Sequence, residues 1–145
     1  SRSASAVANP CAAVAASRLE SVAVYGNDFP TADGTGIRDY IHVVDLARAH
    51  VDALDYLRAR PDGEPLTINL GTGRGYSVLE VIRAFEVASG RSIPHRIVDR
   101  RPGDIAVCYA DPGLAHRRLG WRAELGLERM CEDVWRWQTG LDSPV

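Results

Sequence analysis

Two arginines stand where an anion could be gripped. Arg38 closes the Gly/Asp/Pro-rich stretch that starts at Gly26, and Arg101 lies in the turn Arg100-Arg101-Pro102-Gly103-Asp104. Both border segments expected to be strands, where loops commonly hold substrate groups, and a guanidinium fork matches phosphate in a bidentate fashion. Each also has an acidic neighbour, Asp39 or Asp104, so a plain salt bridge is the competing reading. Arg100, Arg117, Arg118 and Arg122 read as solvated charge.

The remaining chemistry-bearing residues narrow the classes of reaction. All 17 basic residues are arginine, so a Schiff-base lysine, a Walker lysine and a Tyr-x-x-x-Lys pair are excluded within this sequence. The histidines His42, His50, His95 and His116 stand far apart, and no metal centre is expected. His42-x-x-Asp45 reads as hydrogen bonding around a helix start, and His50 as a satisfied core histidine. Cys11, Cys108 and Cys131 fit neither a disulfide framework nor a zinc knuckle, which points to a reducing cytosol. Gly71-Thr72-Gly73-Arg74-Gly75 between an expected strand and helix has the order of a phosphate cradle. Its G-x-G-x-G spacing is nevertheless not the dinucleotide fingerprint, and no acidic residue follows at the ribose-binding distance; a tight turn is the simpler reading.

These residues must be positioned by an ordinary globular α/β chain. With 145 residues, 46% hydrophobic and 25% charged, it can bury a core without disulfides or metal. A net charge of -2 argues against nucleic acid or an anionic membrane as partner, and no apolar run approaches a membrane span. Residues 1–17 form an Ala/Ser-rich segment set apart from a single domain over 18–145, with a helix expected from Pro10 to Glu20 and Pro10 near its first position. Strands are expected at Val22–Tyr25, Tyr40–Val43, Leu66–Leu70, His95–Asp99 and Ala106–Ala110. The stretch 26–37 should be an irregular surface loop. From Val44 a helix should bury Leu46, Ala49, His50, Ala53, Leu54 and Leu57 and stop at Pro61-Asp62-Gly63. Ser77 and Glu80 form a capping box for a helix over Val78–Ala88, stopped by Gly90. Asp111 should cap a short helix ending near Gly120. A last helix, Leu127–Gln138, should bury Leu127, Met130, Cys131, Val134, Trp135 and Gln138.

Several of these stretches together resemble a known family. Val24-Tyr25-Gly26-Asn27-Asp28, Asp33-Gly34-Thr35-Gly36, Arg38-Asp39-Tyr40-Ile41-His42-Val43-Val44-Asp45-Leu46, Asn69-Leu70-Gly71-Thr72-Gly73, Arg100-Arg101-Pro102-Gly103-Asp104 and the run Met130–Gln138 resemble the carboxy-terminal part of UDP-glucose 4-epimerases. Those enzymes belong to the extended short-chain dehydrogenase/reductase family. The resemblance covers about Arg18 to Gln138. It implies a substrate-binding portion without the complete Rossmann sheet, serving an NAD-dependent interconversion of UDP-glucose and UDP-galactose by transient oxidation at C4 of the hexose. NAD and the catalytic Tyr-x-x-x-Lys pair would belong to an amino-terminal domain missing from this sequence, so no residue here is expected to be catalytic and the chain alone to be inactive. A related nucleotide-sugar dehydratase or decarboxylase and a non-catalytic remnant are the alternatives. Position by position, Ala23 and Tyr25 resemble the residues that hold the uracil, Arg38 and Arg101 the clamp on two phosphates, and Asp104 a ligand near the ribose. Cys108 falls where side-chain size governs room for N-acetylated sugars. The implied partners are a UDP-sugar, the Rossmann domain or another subunit, and a second copy in a homodimer; the implied location is the cytoplasm. The family's pattern is lost at residues 1–16, where Ala6 stands near the place of an asparagine that contacts the diphosphate.

Overall fold

A computed structural model describes residues 5–60, 63 and 65–140. Helices α1 (Ser5–Ala15), α3 (Val78–Ser89) and α5 (Leu127–Gly140), with α2 (Val43–Arg58) and α4 (Gly113–Leu119), surround two small sheets. In one, β1 (Val22–Tyr25) runs parallel to β4 (His95–Val98); in the other, β2 (Ile37–Asp39) pairs antiparallel with β3 (Gly75–Ser77) and parallel with β5 (Val107–Cys108).

The main core lies where α1, α3 and α5 pack together beside β1. Phe85, Ile82 and Val81 of α3 meet Cys11 and Val14 of α1 and Met130 and Cys131 of α5, the helical spacing of each set placing it on one face. Phe85 is fully buried and meets Trp135 edge to face, with ring centroids 6.3 Å apart. Burial pushes the thiols of Cys11 and Cys131 up to about 12, so both act as small hydrophobes and not as nucleophiles. A smaller core joins Ala49 of α2, Ala115 of α4 and Trp121, with Ile68 and Leu70 packed against it.

Local signals set α3. Ser77 Oγ accepts from the Glu80 amide while the Glu80 carboxylate accepts from the Ser77 amide, and Gly90 closes the helix in the left-handed region. The expected strand over 22–25 forms with those bounds. Helix α4 ends at Gly120 as expected, but its N-cap position is Pro112; Asp111 Oδ1 instead accepts from the Gly113 amide at 2.8 Å.

Five expectations need correction. Helix α1 runs from Ser5 to Ala15 with Pro10 inside it, and Ser17 at φ 58 turns the chain away before Glu20. Burying Cys11, Ala12, Val14 and Ala15 against the other helices outweighs the backbone bond proline cannot make. The second strand is Ile37–Asp39 and not Tyr40–Val43, because its ladder partners β3 and β5 reach only that far and His42 already caps α2. Leu66–Leu70 is not a strand: Ile68 and Leu70 turn inward while Thr67 and Asn69 face outward, a strand-like alternation that finds no strand to bond among the described residues. Helix α2 buries Asp45 and Ala49 but leaves Val51, Leu54 and Leu57 more than half exposed, and His50 is exposed, with its Nδ1 2.7 Å from the Leu46 carbonyl. The 26–37 stretch is turn-rich yet folded in, burying Phe29 and Thr35. The expected stop of α2 at Pro61-Asp62-Gly63 falls largely outside the described residues; the helix closes on Ala59.

Candidate functional site

The site residues converge because the stretches 26–36 and 99–106 each run from one sheet to the other. Tyr25 ends β1 opposite Val98, and the Gly26 amide bonds the Val98 carbonyl at 2.8 Å. From β4 the chain turns through Arg101–Asp104, the Asp104 amide bonding the Arg101 carbonyl. It then enters β5 beside β2, where the Ile37 amide bonds the Ala106 carbonyl and Arg38 lies across from Cys108. Residues from the end of β1, from β2 and from the 101–104 turn thus meet, although they lie far apart in sequence.

At that meeting point Asp104 bridges both arginines. Arg101 Nε donates to Asp104 Oδ2 at 3.1 Å, and Arg38 Nη2 stands 3.9 Å from Asp104 Oδ1. The Arg101 guanidinium lies 4.2 Å from the Tyr25 ring centroid, within cation–π range. Arg38 is steadied by donation from Nη1 to the Ile37 carbonyl at 2.8 Å. All three charged side chains keep solvent access, at 31% for Arg38, 43% for Arg101 and 20% for Asp104. The arrangement is therefore two cations and one aromatic face sharing one carboxylate, open to an incoming anion. Of the remaining predicted residues, Ala23 lies on β1 two positions before Tyr25, and Cys108 is exposed.

The surrounding loops are held by groups that sequence reading undervalued. Arg100, expected to be solvated, donates to the Asp28 side chain and carbonyl and lies over the Phe29 ring at 3.8 Å. Asp33 accepts from the Thr35 amide at 2.9 Å, from the Thr35 hydroxyl at 2.7 Å and from Ser77 Oγ. Burial works to raise the Asp33 carboxyl, but the bonds from Ser77 and Thr35 and the charge of Arg83 outweigh it and hold the group below its ordinary range. Gly34, at φ +79, lets the loop close, since a Cβ there would collide with the Asn27 carbonyl. His42 serves the helix start as expected: its Nδ1 accepts from the Val44 amide, and its Nε2 faces Asp133 at 3.2 Å. Asp45, wholly buried, also accepts from the amides of Glu124 and Leu125.

The Gly-rich turn is not a phosphate cradle. The amides of Thr72 and Gly73 point at the Asp39 carboxylate, so an internal anion already takes the donors that a dinucleotide pyrophosphate would need. Asp39 is thus committed to the turn and is not the ion partner of Arg38. The described residues do not offer NAD a fitting site at this turn. Among them, no cluster of His, Cys, Asp or Glu suits a metal ion and no helix is long and apolar enough to cross a membrane.

The two small sheets thus bring a pair of arginines onto one carboxylate beside an exposed tyrosine in an α/β chain. Residues 4–134 match the family model described as GDP-mannose 4,6 dehydratase, and the chain belongs to that family. Within it, the chain is similar to UDP-glucose 4-epimerases: it is 59% identical to that of Drosophila melanogaster over 88% of this chain and 37% of the relative. With the Homo sapiens enzyme it shares 58% over 86% of this chain and 35% of the relative. A crystal structure of UDP-glucose-4-epimerase from Stenotrophomonas maltophila, with bound NAD and formylated UDP-arabinopyranose, superposes with a TM-score of 0.89 at 54% identity, covering 94% of this chain and 40% of that one. The Bifidobacterium longum enzyme, in complex with NAD+ and UDP, gives 0.84 at 54% identity, over 90% of this chain and 38% of that one. The chain therefore spans little more than a third of the length of the curated relatives it matches.

Proposed function

We propose that this chain is the nucleotide-sugar-binding portion of a UDP-glucose/UDP-galactose 4-epimerase, an isomerase. The observation that carries the reading is the convergence of Arg38 and Arg101 on Asp104 beside Tyr25. Two fixed cations a few ångströms from a shared carboxylate suit the charge of a diphosphate, and the tyrosine ring at the end of β1 offers the uracil an apolar surface beside Ala23. Asp104 accepts from the ribose, and Cys108, exposed across the strand from Arg38, sets the room beside the hexose, with space for an N-acetyl group.

The chain contributes binding and not turnover. In an epimerase NAD supplies the transient oxidation at C4; in this reading it sits on a dinucleotide-binding domain outside the sequence, together with the Tyr-x-x-x-Lys pair, and the chain alone is inactive. The exposed side chains Val51, Leu54 and Leu57 of α2, with Leu66, supply apolar surface for that domain to cover. We place the whole enzyme in the cytoplasm of its cell as a homodimer; the three free cysteines are in keeping with a reducing compartment.

Calorimetric titration with UDP tests the reading. The full chain should bind UDP, and Arg38→Ala and Arg101→Ala should each weaken binding about tenfold or more, the scale of losing one charge-assisted contact. A chain that gives no heat with UDP is instead a remnant that binds nothing, and an affinity that ignores both substitutions means that UDP is held elsewhere than at the arginine pair.

A further inference from the structure

The Asp39 carboxylate is saturated from three directions. Its oxygens accept from the Thr72 amide at 3.0 and 3.1 Å, the Thr72 hydroxyl at 2.6 Å, the Gly73 amide at 3.3 Å and the Ala110 amide at 3.2 Å. Thr72 then turns back on its own loop, its hydroxyl accepting from the Arg74 amide at 3.1 Å. A Cβ at Gly71 would stand 2.5 Å from Asp39 Oδ2 and 2.7 Å from Ala110 Cβ, so the turn reaches the carboxylate only because glycine occupies that position. These bonds tie β2 to the turn that precedes β3 and to the exit of β5.

Their location matters because Asp39 follows Arg38 directly on a strand of three residues. Such a strand has few ladder bonds of its own with which to fix a side-chain direction. Its register places Arg38 opposite Tyr76 on one side and Cys108 on the other, and the Asp39 bonds lock both neighbours beside it. We propose that Asp39 is the positioning residue of the anion clamp: it touches no ligand, and it fixes the direction of the Arg38 guanidinium by anchoring β2 to the Gly71–Gly73 turn and to Ala110. This rests on the reading of Arg38 as a diphosphate ligand. Only aspartate satisfies the geometry. Asparagine presents one acceptor oxygen and turns an N–H2 group toward backbone donors, and glutamate is too long for the space that Gly71 leaves.

The test measures UDP by calorimetry and uridine by NMR titration on the full chain and on Asp39→Asn, Thr72→Val, Arg38→Ala and the double variant Arg38→Ala/Asp39→Asn. Thr72→Val removes the hydroxyl at nearly constant shape, taking away both its bond to Asp39 and the acceptor for the Arg74 amide, which keeps the test valid if Asp39→Asn fails to fold. Asp39→Asn should bind UDP about tenfold more weakly, and Thr72→Val about threefold, in line with the worth of hydrogen bonds to a charged group, while uridine affinity stays at the wild-type value. Adding Asp39→Asn to Arg38→Ala should cost no further UDP affinity, because a residue that acts through Arg38 has nothing left to position. Wild-type UDP affinity in both Asp39→Asn and Thr72→Val, equal losses for UDP and uridine, or full additivity in the double variant each overturns the inference while leaving the clamp intact. Wild-type UDP affinity in Arg38→Ala overturns the clamp, and the inference with it.

Discussion

Replacing Asp104 with asparagine should separate two ligands that the clamp otherwise treats alike. Asp104 lies 3.1 Å from Arg101 Nε and 3.9 Å from Arg38 Nη2, so the trio carries two positive charges and one negative. The Asp104→Asn substitution leaves both positive charges uncompensated on the same scaffold at nearly constant volume. A diphosphate seated on both guanidiniums would have phosphate oxygens roughly 5 Å from the carboxylate, where unit charges in water interact by about 0.8 kcal/mol. With about two phosphate charges in range and screening over a Debye length of about 8 Å, the repulsion removed is on the order of 0.5–1 kcal/mol. Inorganic pyrophosphate should therefore bind the Asp104→Asn chain about two- to fivefold more tightly, and the gain should shrink as salt is raised. UDP should show no such gain, because the substitution also weakens the acceptor proposed for the ribose, a loss of about 1.5 kcal/mol for a charged group. Isothermal titration with pyrophosphate and UDP at low and high ionic strength reads both quantities. Pyrophosphate affinity that stays level or falls in the folded variant would refute the charge argument and make Asp104 an organiser of the arginines instead of their competitor.

Three further outcomes follow from the packing and the charges. Phe85→Ala empties a fully buried ring site against Trp135 and should cost about 3–5 kcal/mol in denaturant unfolding; a loss below about 1 kcal/mol would mean that the α1/α3/α5 core is not packed as described. Asp33 and Asp133 both hold depressed carboxyls in the fold: for Asp133 the Arg129 guanidinium is the chief cause, followed against the pull of burial by His42 and Arg136. Groups of this kind contribute stability above their unfolded-state range and lose it as pH falls through the folded value, so chemical-denaturation midpoints should hold at neutral pH and decline below about pH 5, with a shallower decline in Asp33→Asn. The exposed Val51, Leu54 and Leu57 of α2 should drive self-association of the isolated chain, and Leu54→Glu with Leu57→Glu should shift it toward monomer in sedimentation velocity; an unchanged distribution would show that this face joins nothing.

The sequence by itself determined what depends on near neighbours. Ser77, Glu80 and Gly90 announce α3 through contacts within one turn of its ends, the β-branched run at 22–25 with Gly26 behind it announces β1, and the Leu127–Gln138 spacing announces the buried face of α5. Arg38 and Arg101 were legible as anion-binding candidates because Gly/Pro/Asp loops beside strands commonly expose such groups. Only the tertiary structure decided that these arginines share Asp104, that β2 falls at 37–39, and that α2 and the stretch 65–70 leave apolar side chains uncovered. It also decided that the Gly-rich turn is filled by Asp39, whose nearest partner in that turn lies 33 residues away. The physical reason is common to all four. A strand exists only where another strand offers it hydrogen bonds, an amphipathic helix is buried only where something covers its stripe, and a carboxylate finds its donors through space, so none of these outcomes leaves a signal in the local spacing of residues.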